Sequence, residues 1–262
     1  MTLSVVMPAW NEAEGIAGFI HELNEALEQW QPSFIVVDDF STDDTADAVR
    51  RLASQGIPAT VVTNPSNRGH GPSTLTALQL GLKGFPSAIV ALDGDGQFRG
   101  VDVATVVASL LAGTADVVEG VRRNRNDPLY RRLVSAGTRF LVWTRAGRVP
   151  ADANTPLRAY RPSVLAGLLQ SVPVSAVTPN LIISALCRRN GLVILEIPVA
   201  SLPRRGASSV GTTWGNRRKA LPSKRFLTFC ASAVKEWAQP TGQQGLRTGK
   251  SEDLPEGPSG DR

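Results

Sequence analysis

The chain contains 262 residues, of which 42% are hydrophobic, and carries a formal net charge of +5. That length and apolar content can build one large hydrophobic core but hardly two independent domains. Two cysteines without Cys-x-x-Cys spacing and two histidines exclude a recognisable zinc motif and a disulfide framework. No apolar run reaches the ~18 residues of a membrane-spanning helix, and the N-terminus lacks the basic segment of a signal peptide, so a cytoplasmic location is expected.

The charges are unevenly distributed along the chain. Residues 1–100 carry 12 acidic and 5 basic side chains, whereas residues 101–237 carry 7 acidic and 20 basic ones. The second half is therefore expected to attract an anion, such as a phosphate group or a membrane surface. Few aromatic side chains that could stack on bases are interleaved with the basic ones, so no nucleic-acid partner is predicted.

Short β-branched runs alternate with segments of helical periodicity through the first 120 residues. Strands are predicted at residues 3–7, 34–37, 60–63, 88–92 and 116–120, and helices at residues 12–29, 44–53, 73–82 and 101–112. Continuous apolar strands separated by helices indicate a mostly parallel sheet that helices cover on both faces. This α/β pattern predicts a doubly wound sheet, whose ligands bind at the carboxyl ends of the strands.

The pattern changes after residue 120. A basic helix is predicted at residues 129–146, helices at 162–170 and 179–189, a strand at 193–197 and a last amphipathic helix at 221–237. Residues 1–237 are expected to form a single domain with two halves, 1–120 and 121–237. The tail, residues 238–262, is rich in glycine and proline and poor in apolar side chains, so it is predicted to be disordered.

The most informative motif follows the fourth predicted strand, in Asp93-Gly94-Asp95-Gly96-Gln97. Two carboxylates two positions apart at the end of a buried strand are costly unless a cation lies there. Oxygen ligands from Asp93, Asp95 and Gln97 suit Mg²⁺ or Mn²⁺, which keep positions open for phosphate oxygens. The alternative is a solvated Asp-Gly turn, since both residue types are common in turns.

Two adjacent acids, Asp38 and Asp39, end the second predicted strand. The Ser, Thr and Asp side chains that follow are suited to capping the next helix, but capping explains the paired acids less readily. Asp39 is therefore predicted to accept hydrogen bonds from a ribose or a base, with a structural turn as the alternative.

A glycine-containing loop, residues 67–73, follows the third predicted strand. It lacks the Gly-x-Gly-x-x-Gly fingerprint, which should in any case follow the first strand, so a dinucleotide-binding dehydrogenase is disfavoured. Gly69 and Gly71 are expected to let this loop turn tightly into the next helix. His70 is equally consistent with a loop residue and with a ligand contact.

Basic residues cluster after the fifth predicted strand. Arg122 lies at its end, and Arg131 and Ser135 are four residues apart on the next helix, which places them on one face. Arginine binds phosphate oxygens bidentately, so these residues predict a second anionic group apart from the metal loop. A solvated basic helix face is the alternative. Arg204 and Arg205 form a further basic loop.

Taken together, five motifs in this order resemble the inverting family 2 glycosyltransferases of GT-A fold. Within that family the similarity is strongest to polyprenyl-phosphate (dolichyl-phosphate) mannose or glucose synthases, and it spans residues 3–210. The motifs are Pro8-Ala-Trp10-Asn11-Glu12, Asp38-Asp39-Phe-Ser-Thr-Asp43-Asp44-Thr, Asn67-Arg-Gly69-His-Gly71, Asp93-Gly-Asp95-Gly-Gln97 and Asp152-Ala-Asn-Thr-Pro-Leu-Arg158-Ala-Tyr160.

The resemblance implies a role for each matched residue. The nucleoside would be held by Pro8, Trp10, Glu12, Asp39 and Asp43. The metal and the diphosphate would be held by Asp93, Gly94, Asp95 and Gln97, with help from Arg122 and from Arg204 or Arg205. Arg131 and Ser135 would bind the acceptor phosphate. Asp95 and Arg122 are the expected catalytic residues, joined by Asp152 as a base if the acceptor is a hydroxyl.

The resemblance implies transfer of a hexose, mannose or glucose, from a GDP- or UDP-sugar to a polyprenyl phosphate, with peripheral contact to the cytoplasmic membrane face. Two residues depart from the family pattern: Ser209 replaces a lysine of the mobile family loop, which weakens the expected clamp on the phosphates, and Pro156 stands where the family usually has glycine in the acceptor loop. The alternatives are a family 2 enzyme with a soluble or secondary-metabolite acceptor, and a non-catalytic module that binds a nucleotide sugar.

Overall fold

The computed structural model describes residues 1–123, 129–206 and 235–237, and for residues 129–133 it describes the backbone alone. Its strands form one sheet of seven in the order β3-β2-β1-β4-β6-β5-β7 within these ranges. They are β1 (Leu3–Ala9), β2 (Pro32–Asp38), β3 (Ala59–Thr63), β4 (Ala88–Ala91), β5 (Val117–Arg123), β6 (Arg158–Tyr160) and β7 (Ile194–Ala200).

Helices cover both faces of the sheet. They are α1 (Ile16–Leu27), α2 (Thr45–Ser54), α3 (His70–Gly81), α4 (Gly100–Leu111), α5 (Leu129–Ala146), α6 (Pro162–Gln170) and α7 (Pro179–Arg189). Apolar side chains of α1, α2 and α4 share one core with the sheet, and those of α3, α6 and α7 share the other. None of the helices described is long and apolar enough to cross a membrane.

This architecture confirms the predicted doubly wound α/β fold. Strands β1 to β4 are mutually parallel, and β7 runs parallel to β5. Strand β6 is not among the predicted strands, and it is antiparallel to both of its neighbours, β4 and β5. Because β6 has only three residues and draws its backbone hydrogen bonds from both sides, its stability comes from the neighbouring strands and leaves no periodic signal.

Two helix starts differ from the prediction. The helix expected from residue 12 begins at Ile16, because the Glu12 carbonyl first accepts hydrogen bonds from the backbone N–H groups of Gly15 and Ile16. The helix expected from residue 73 begins at His70, since Gly69 adopts a φ of 90° and turns the chain directly into α3. The predicted helix at 221–237, apart from residues 235–237, and the tail lie outside the described residues.

A network of buried charges connects the second half of the sheet to α7. Glu119 on β5 and Arg158 on β6 are fully buried, and Arg188 on α7 is nearly so. Arg188 Nη2 donates to Glu119 Oε2 at 2.7 Å, and Arg158 Nε lies 3.4 Å from Glu119 Oε1. Arg158 also donates to the carbonyl of Ala153 at 3.1 Å. Through Arg158, the network therefore anchors the loop between α5 and β6 to the sheet.

Gly71, in the first turn of α3, packs against the backbone of the loop before α7. A Cβ at this position would lie 2.3 Å from the Ala176 carbonyl oxygen and 2.6 Å from that of Val177. We expect Gly71→Ala to destabilise the protein by about 1–3 kcal/mol, the usual cost of overpacking, in urea denaturation. Gly18→Ala in α1 is the control: nothing lies within 4 Å of its added methyl group. It should stabilise by about 0.5–1 kcal/mol, and equal effects of the two substitutions would contradict the prediction.

Candidate active site

The loops that follow β1, β2 and β4 lie side by side at the carboxyl edge of the sheet. Backbone hydrogen bonds join them, from Gly94 N to the Pro8 carbonyl at 3.1 Å and from Asp39 N to the Ala9 carbonyl at 2.8 Å. Gly94 fits closely, since a Cβ there would lie 3.1 Å from the Pro8 oxygen. The tertiary structure thus brings together the acidic motifs that lie far apart in the sequence.

Asp93 is paired with His70 at the start of α3. The His70 Nε2 atom lies 2.8 Å from Asp93 Oδ1, and the imidazole remains about half exposed, at 52%. Burial alone would raise the pKa of Asp93, but the charge and hydrogen bond of His70 lower it overall. Burial would likewise lower the pKa of His70, and the charge of Asp93 outweighs it and raises that pKa. His70 is therefore part of the site as a partner of Asp93.

Asp95 lacks a comparably close basic partner. Burial and the neighbouring charge of Asp93 raise the pKa of Asp95 to about 7. Its Oδ1 accepts a hydrogen bond from Gln97 N at 3.2 Å, and Arg204 Nε lies 3.9 Å from its Oδ2. A buried carboxylate next to a second carboxylate is the donor chemistry that binds a hard divalent cation, so the residues fit Mg²⁺ or Mn²⁺.

Gln97, the third predicted metal ligand, anchors another segment. Its Nε2 donates to the Leu202 carbonyl at 3.1 Å, and Leu202 N donates to the Gln97 carbonyl at 2.9 Å. Within the described ranges, no group of three or more His, Cys, Asp and Glu side chains converges on one point. The acidic side chains predicted to hold a metal are thus the pair Asp93 and Asp95, and the hydrogen bond of Gln97 engages its Nε2 rather than its side-chain oxygen.

The raised pKa of Asp95 predicts a pH-dependent metal affinity. Below pH 7 the carboxyl holds a proton that the metal must displace, so the dissociation constant for Mn²⁺ should fall about tenfold per pH unit between pH 5.5 and 7 and level off above. Titration of free Mn²⁺ by electron paramagnetic resonance measures this. A dissociation constant that stays flat from pH 5.5 to 7.5 would contradict the prediction.

Asp39, expected to bind the nucleoside, organises the loop after β3. Its Oδ1 accepts hydrogen bonds at 2.8 Å from Asn64 Nδ2 and from Arg68 N, and its Oδ2 accepts one at 2.8 Å from Gly69 N. The side chain is buried, with 3% of the residue exposed. A ribose or base would therefore contact a carboxylate that already accepts hydrogen bonds from the loop after β3. These hydrogen bonds within the protein were not evident from the sequence.

Asp43 and Glu12 connect the loop after β1 to α2. Asp43 accepts hydrogen bonds from Ala13 N at 3.1 Å and from Thr45 N at 3.0 Å, and Thr45 Oγ1 accepts one from Glu12 N at 2.8 Å. Glu12 is buried, and its carboxylate is ion-paired with Arg204. Trp10, which lies in the same loop, is half-buried. The predicted nucleoside residues Pro8, Trp10, Glu12, Asp39 and Asp43 are thus gathered at one edge of the sheet.

Residues 202–206 cross over the carboxylate loop. Arg205 N donates to the Asp95 carbonyl at 3.0 Å, which fixes the segment against that loop. The two arginine side chains then diverge: Arg204 faces Glu12 and Asp95, whereas Arg205 pairs with Glu22 and lies 5.3 Å above the Phe19 ring. Arg204 is therefore the member of the pair that faces the carboxylates.

Arg122 and Asp152 form a bidentate ion pair at the carboxyl end of β5. Arg122 Nε and Nη2 donate to the two carboxylate oxygens of Asp152 at 2.7 and 3.1 Å, and Nη2 also donates to the Asn154 carbonyl at 3.0 Å. Both side chains are 13% exposed. The charge of Arg122 is the weakest of the named causes that act on the pKa of Asp93 and of Asp95, and it favours the ionised form of each. Nothing in the sequence around either predicted residue indicates that the two are partners.

The predicted acceptor residues lie on α5. Ser135 is half-buried in this helix, one turn beyond Arg131, whose side chain lies outside the described atoms. Pro156 and Asp93 line the same small cavity of about 10 Å³, so the loop before β6 reaches the carboxylate loop. Ser209 lies outside the described residues.

Solved structures with the same fold include sugar-nucleotide enzymes. The mannosyl-3-phosphoglycerate synthase of Rubrobacter xylanophilus matches 91% of this chain and 73% of its own, with a TM-score of 0.65 at 20% identity. The glucosyl-3-phosphoglycerate synthase of Mycobacterium tuberculosis, solved with Mn²⁺ and uridine-diphosphate-glucose, matches 79% of this chain and 72% of its own, with a TM-score of 0.59 at 22% identity. These similarities establish the GT-A fold.

Sequence relatives give the family. An uncharacterized protein of Methanocaldococcus jannaschii is 27% identical over 79% of this chain and 84% of its own. The undecaprenyl-phosphate 4-deoxy-4-formamido-L-arabinose transferase of Salmonella choleraesuis is 30% identical over 75% of this chain, and the match spans 58% of that transferase. The model of glycosyl transferase family 2 matches residues 4–166. The chain therefore belongs to glycosyl transferase family 2.

Proposed function

We propose that the chain is a metal-dependent, inverting glycosyltransferase that moves a hexose from a nucleotide diphosphate sugar to a polyprenyl phosphate. The observation that carries this proposal is the arrangement of two charged clusters at one edge of the sheet. Asp93 and Asp95 follow β4, and Arg122 is the penultimate residue of β5. Strand β6 alone separates β4 from β5, so the clusters face each other across about 10 Å.

On the donor side, the loops after β1 and β2 would hold the nucleoside, and Asp93 and Asp95 would hold the metal. The metal, when bound, neutralises the charge that develops on the departing nucleoside diphosphate. Arg204 lies beside the carboxylate loop and would add a second positive charge there. Structural neighbours crystallised with Mn²⁺ and uridine diphosphate or its glucose derivative support a donor of this class.

On the acceptor side, the Arg122–Asp152 ion pair favours a phosphate over a hydroxyl. Both oxygens of Asp152 accept hydrogen bonds from the Arg122 guanidinium, which stabilises the ionised carboxylate and makes it a poor proton acceptor. A phosphate is already anionic near neutral pH and needs no general base. The proposed acceptor site therefore uses Arg131 and Ser135 to bind the phosphate, while Arg122 assists the departing diphosphate. A lipid acceptor also requires peripheral contact with the cytoplasmic membrane face.

The test is product formation from radiolabelled donors. UDP-glucose, GDP-mannose and a UDP-pentose should each be incubated with the full chain, Mn²⁺ and undecaprenyl phosphate, followed by extraction into organic solvent. Label in the organic phase supports the proposal, and the anomeric configuration reports inversion. Label in a water-soluble product with a cell extract, but none in lipid, would instead indicate a soluble acceptor. Donor binding without any product would identify a binding module.

A further inference from the structure

Helix α5 exposes an aromatic pair on its outer side. Phe140 is 58% exposed and Trp143 is 46% exposed, and their ring centroids lie 5.5 Å apart with the ring planes tilted by 36°. Val149, just beyond the helix, is 53% exposed. Two large aromatic side chains side by side in water mark a surface that contacts a partner. Together with the exposed Arg139 and Arg148, these residues are called the basic-aromatic face.

The segment that carries this face contains basic side chains but no acidic ones. Residues 129–151 contain five arginines and no acidic residue. Behind the face, Arg145 and Arg189 line the same small hollow between α5 and α7. Burial is the largest cause that lowers the pKa of Arg145, and the charge of Arg189 lowers it further. The charge of Glu236 acts in the opposite direction. Residues 129–151 by themselves thus carry a net positive charge, which attracts an anionic partner.

Among extended partners, an anionic lipid bilayer fits this chemistry. Aromatic rings lie at the boundary between headgroups and acyl chains, and arginine side chains extend from that depth to the phosphates. A second copy of the chain would bring Arg139 and Arg148 of both copies together, and like charges in contact are unfavourable. The combination of Phe140 and Trp143 with flanking arginines therefore selects an anionic surface.

We propose that the basic-aromatic face of α5 rests on the surface of an anionic lipid bilayer. The role of this membrane contact rests on the proposed function, because a polyprenyl phosphate acceptor is available only at a membrane surface. Helix α5 begins six residues after β5 ends at Arg123, on the acceptor side of the site. The helix that carries Ser135 toward the acceptor thus also carries Phe140 and Trp143 against the membrane.

Vesicle co-sedimentation tests the surface without requiring activity. The full chain should bind vesicles of phosphatidylglycerol and phosphatidylcholine, and the double variant Phe140→Ser, Trp143→Ser should bind them at least tenfold more weakly. Phe85→Asn is the matched control: Phe85 is 96% exposed but precedes β4, at the sheet edge opposite the site. It should leave binding unchanged. Arg139→Glu with Arg148→Glu should also weaken binding, and circular dichroism confirms that each variant is folded.

Two acceptors separate this proposal from the proposed function. The double variant should transfer sugar to a short, water-soluble prenyl phosphate within twofold of the unmodified chain, but should lose most transfer to undecaprenyl phosphate in vesicles. If the unmodified chain binds vesicles but transfers sugar to neither acceptor, the result contradicts the proposed function and supports the proposed membrane contact. If the double variant binds vesicles as well as the unmodified chain does, the proposed membrane contact of the basic-aromatic face is wrong. A dimer in sedimentation velocity that the same substitutions dissociate would also overturn it.

Discussion

Replacing Asp95 with Asn is expected to reduce sugar transfer by about 10³-fold or more while leaving the fold intact. The substitution keeps the size of the side chain and removes its charge, so under the proposed function the metal would lose one of its two carboxylate ligands and several kcal/mol of stabilisation of the leaving group. The measurement is initial rate at saturating Mn²⁺, with the donor and acceptor identified by the transfer assay.

Stability should respond to Asp95→Asn in the opposite direction. The pKa of Asp95 is about 7 in the folded protein and lies near 3.9 in an unfolded chain, so its ionisation opposes folding increasingly from pH 4 to 7 and fully above pH 7. Without metal, the variant should therefore be at least as stable as the unmodified protein at pH 8. A lower unfolding midpoint for the variant at pH 8 would contradict this.

A thermal shift assay connects the two effects. Mn²⁺ with a nucleoside diphosphate at ~100 times the dissociation constant should stabilise the unmodified chain by ~2.7 kcal/mol, and Asp95→Asn should abolish that increment. Asp47→Asn is the control, because Asp47 is a half-exposed carboxylate on α2 that pairs with Arg50. It should retain the full ligand-induced shift. Equal shifts for Asp95→Asn and Asp47→Asn would exclude Asp95 as a metal ligand.

Glu119→Gln is expected to lower the free energy of unfolding by about 3–5 kcal/mol, because it leaves two buried guanidinium groups without their shared carboxylate. Burial alone would lower the pKa of Arg158, and Glu119 is the principal charge that raises it overall. Arg188 donates to both Glu119 oxygens, at 2.7 and 3.3 Å. Urea denaturation monitored by circular dichroism gives the change.

The control for Glu119→Gln is an exposed ion pair. Arg50→Ala removes the pair with Asp47, in which both side chains are 59% exposed, and should cost no more than about 1 kcal/mol. If the two substitutions lower the free energy of unfolding by similar amounts, Glu119 does not stabilise the buried network as proposed. Turnover should fall further in Glu119→Gln than stability alone predicts, since Arg158 also holds the Ala153 carbonyl beside Asp152.

Several features of the donor side could be predicted because their signals are local. Asp39, and likewise Asp93 and Asp95, follow an apolar strand within a few residues. In a parallel sheet this places them at the carboxyl edge, whichever strands are the neighbours. The family model supports the same segment, residues 4–166. What the sequence could not show was how these acids are partnered, since Asp39 accepts hydrogen bonds from residues up to 30 positions away.

The ion pairs of the site and of the sheet were less predictable because their partners lie far apart in the sequence. Arg122 and Asp152 are 30 residues apart, Glu119 and Arg188 are 69 apart, and Glu12 and Arg204 are 192 apart. Each pair forms only when strands from different parts of the chain become neighbours. Residue type suggested that Arg122 and Asp152 were functional, but nothing in either segment indicated that they bind each other.

The sequence by itself determined the alternation of buried strands and helices, the acidic loops at the strand ends and the basic second half, since hydrophobic periodicity and charge are properties of consecutive residues. The tertiary structure decided the insertion of β6 between β4 and β5, the pairing of His70 with Asp93 and the direction in which Arg204 and Arg205 diverge. These depend on which distant segments share an edge of the sheet, and only packing in three dimensions fixes that choice.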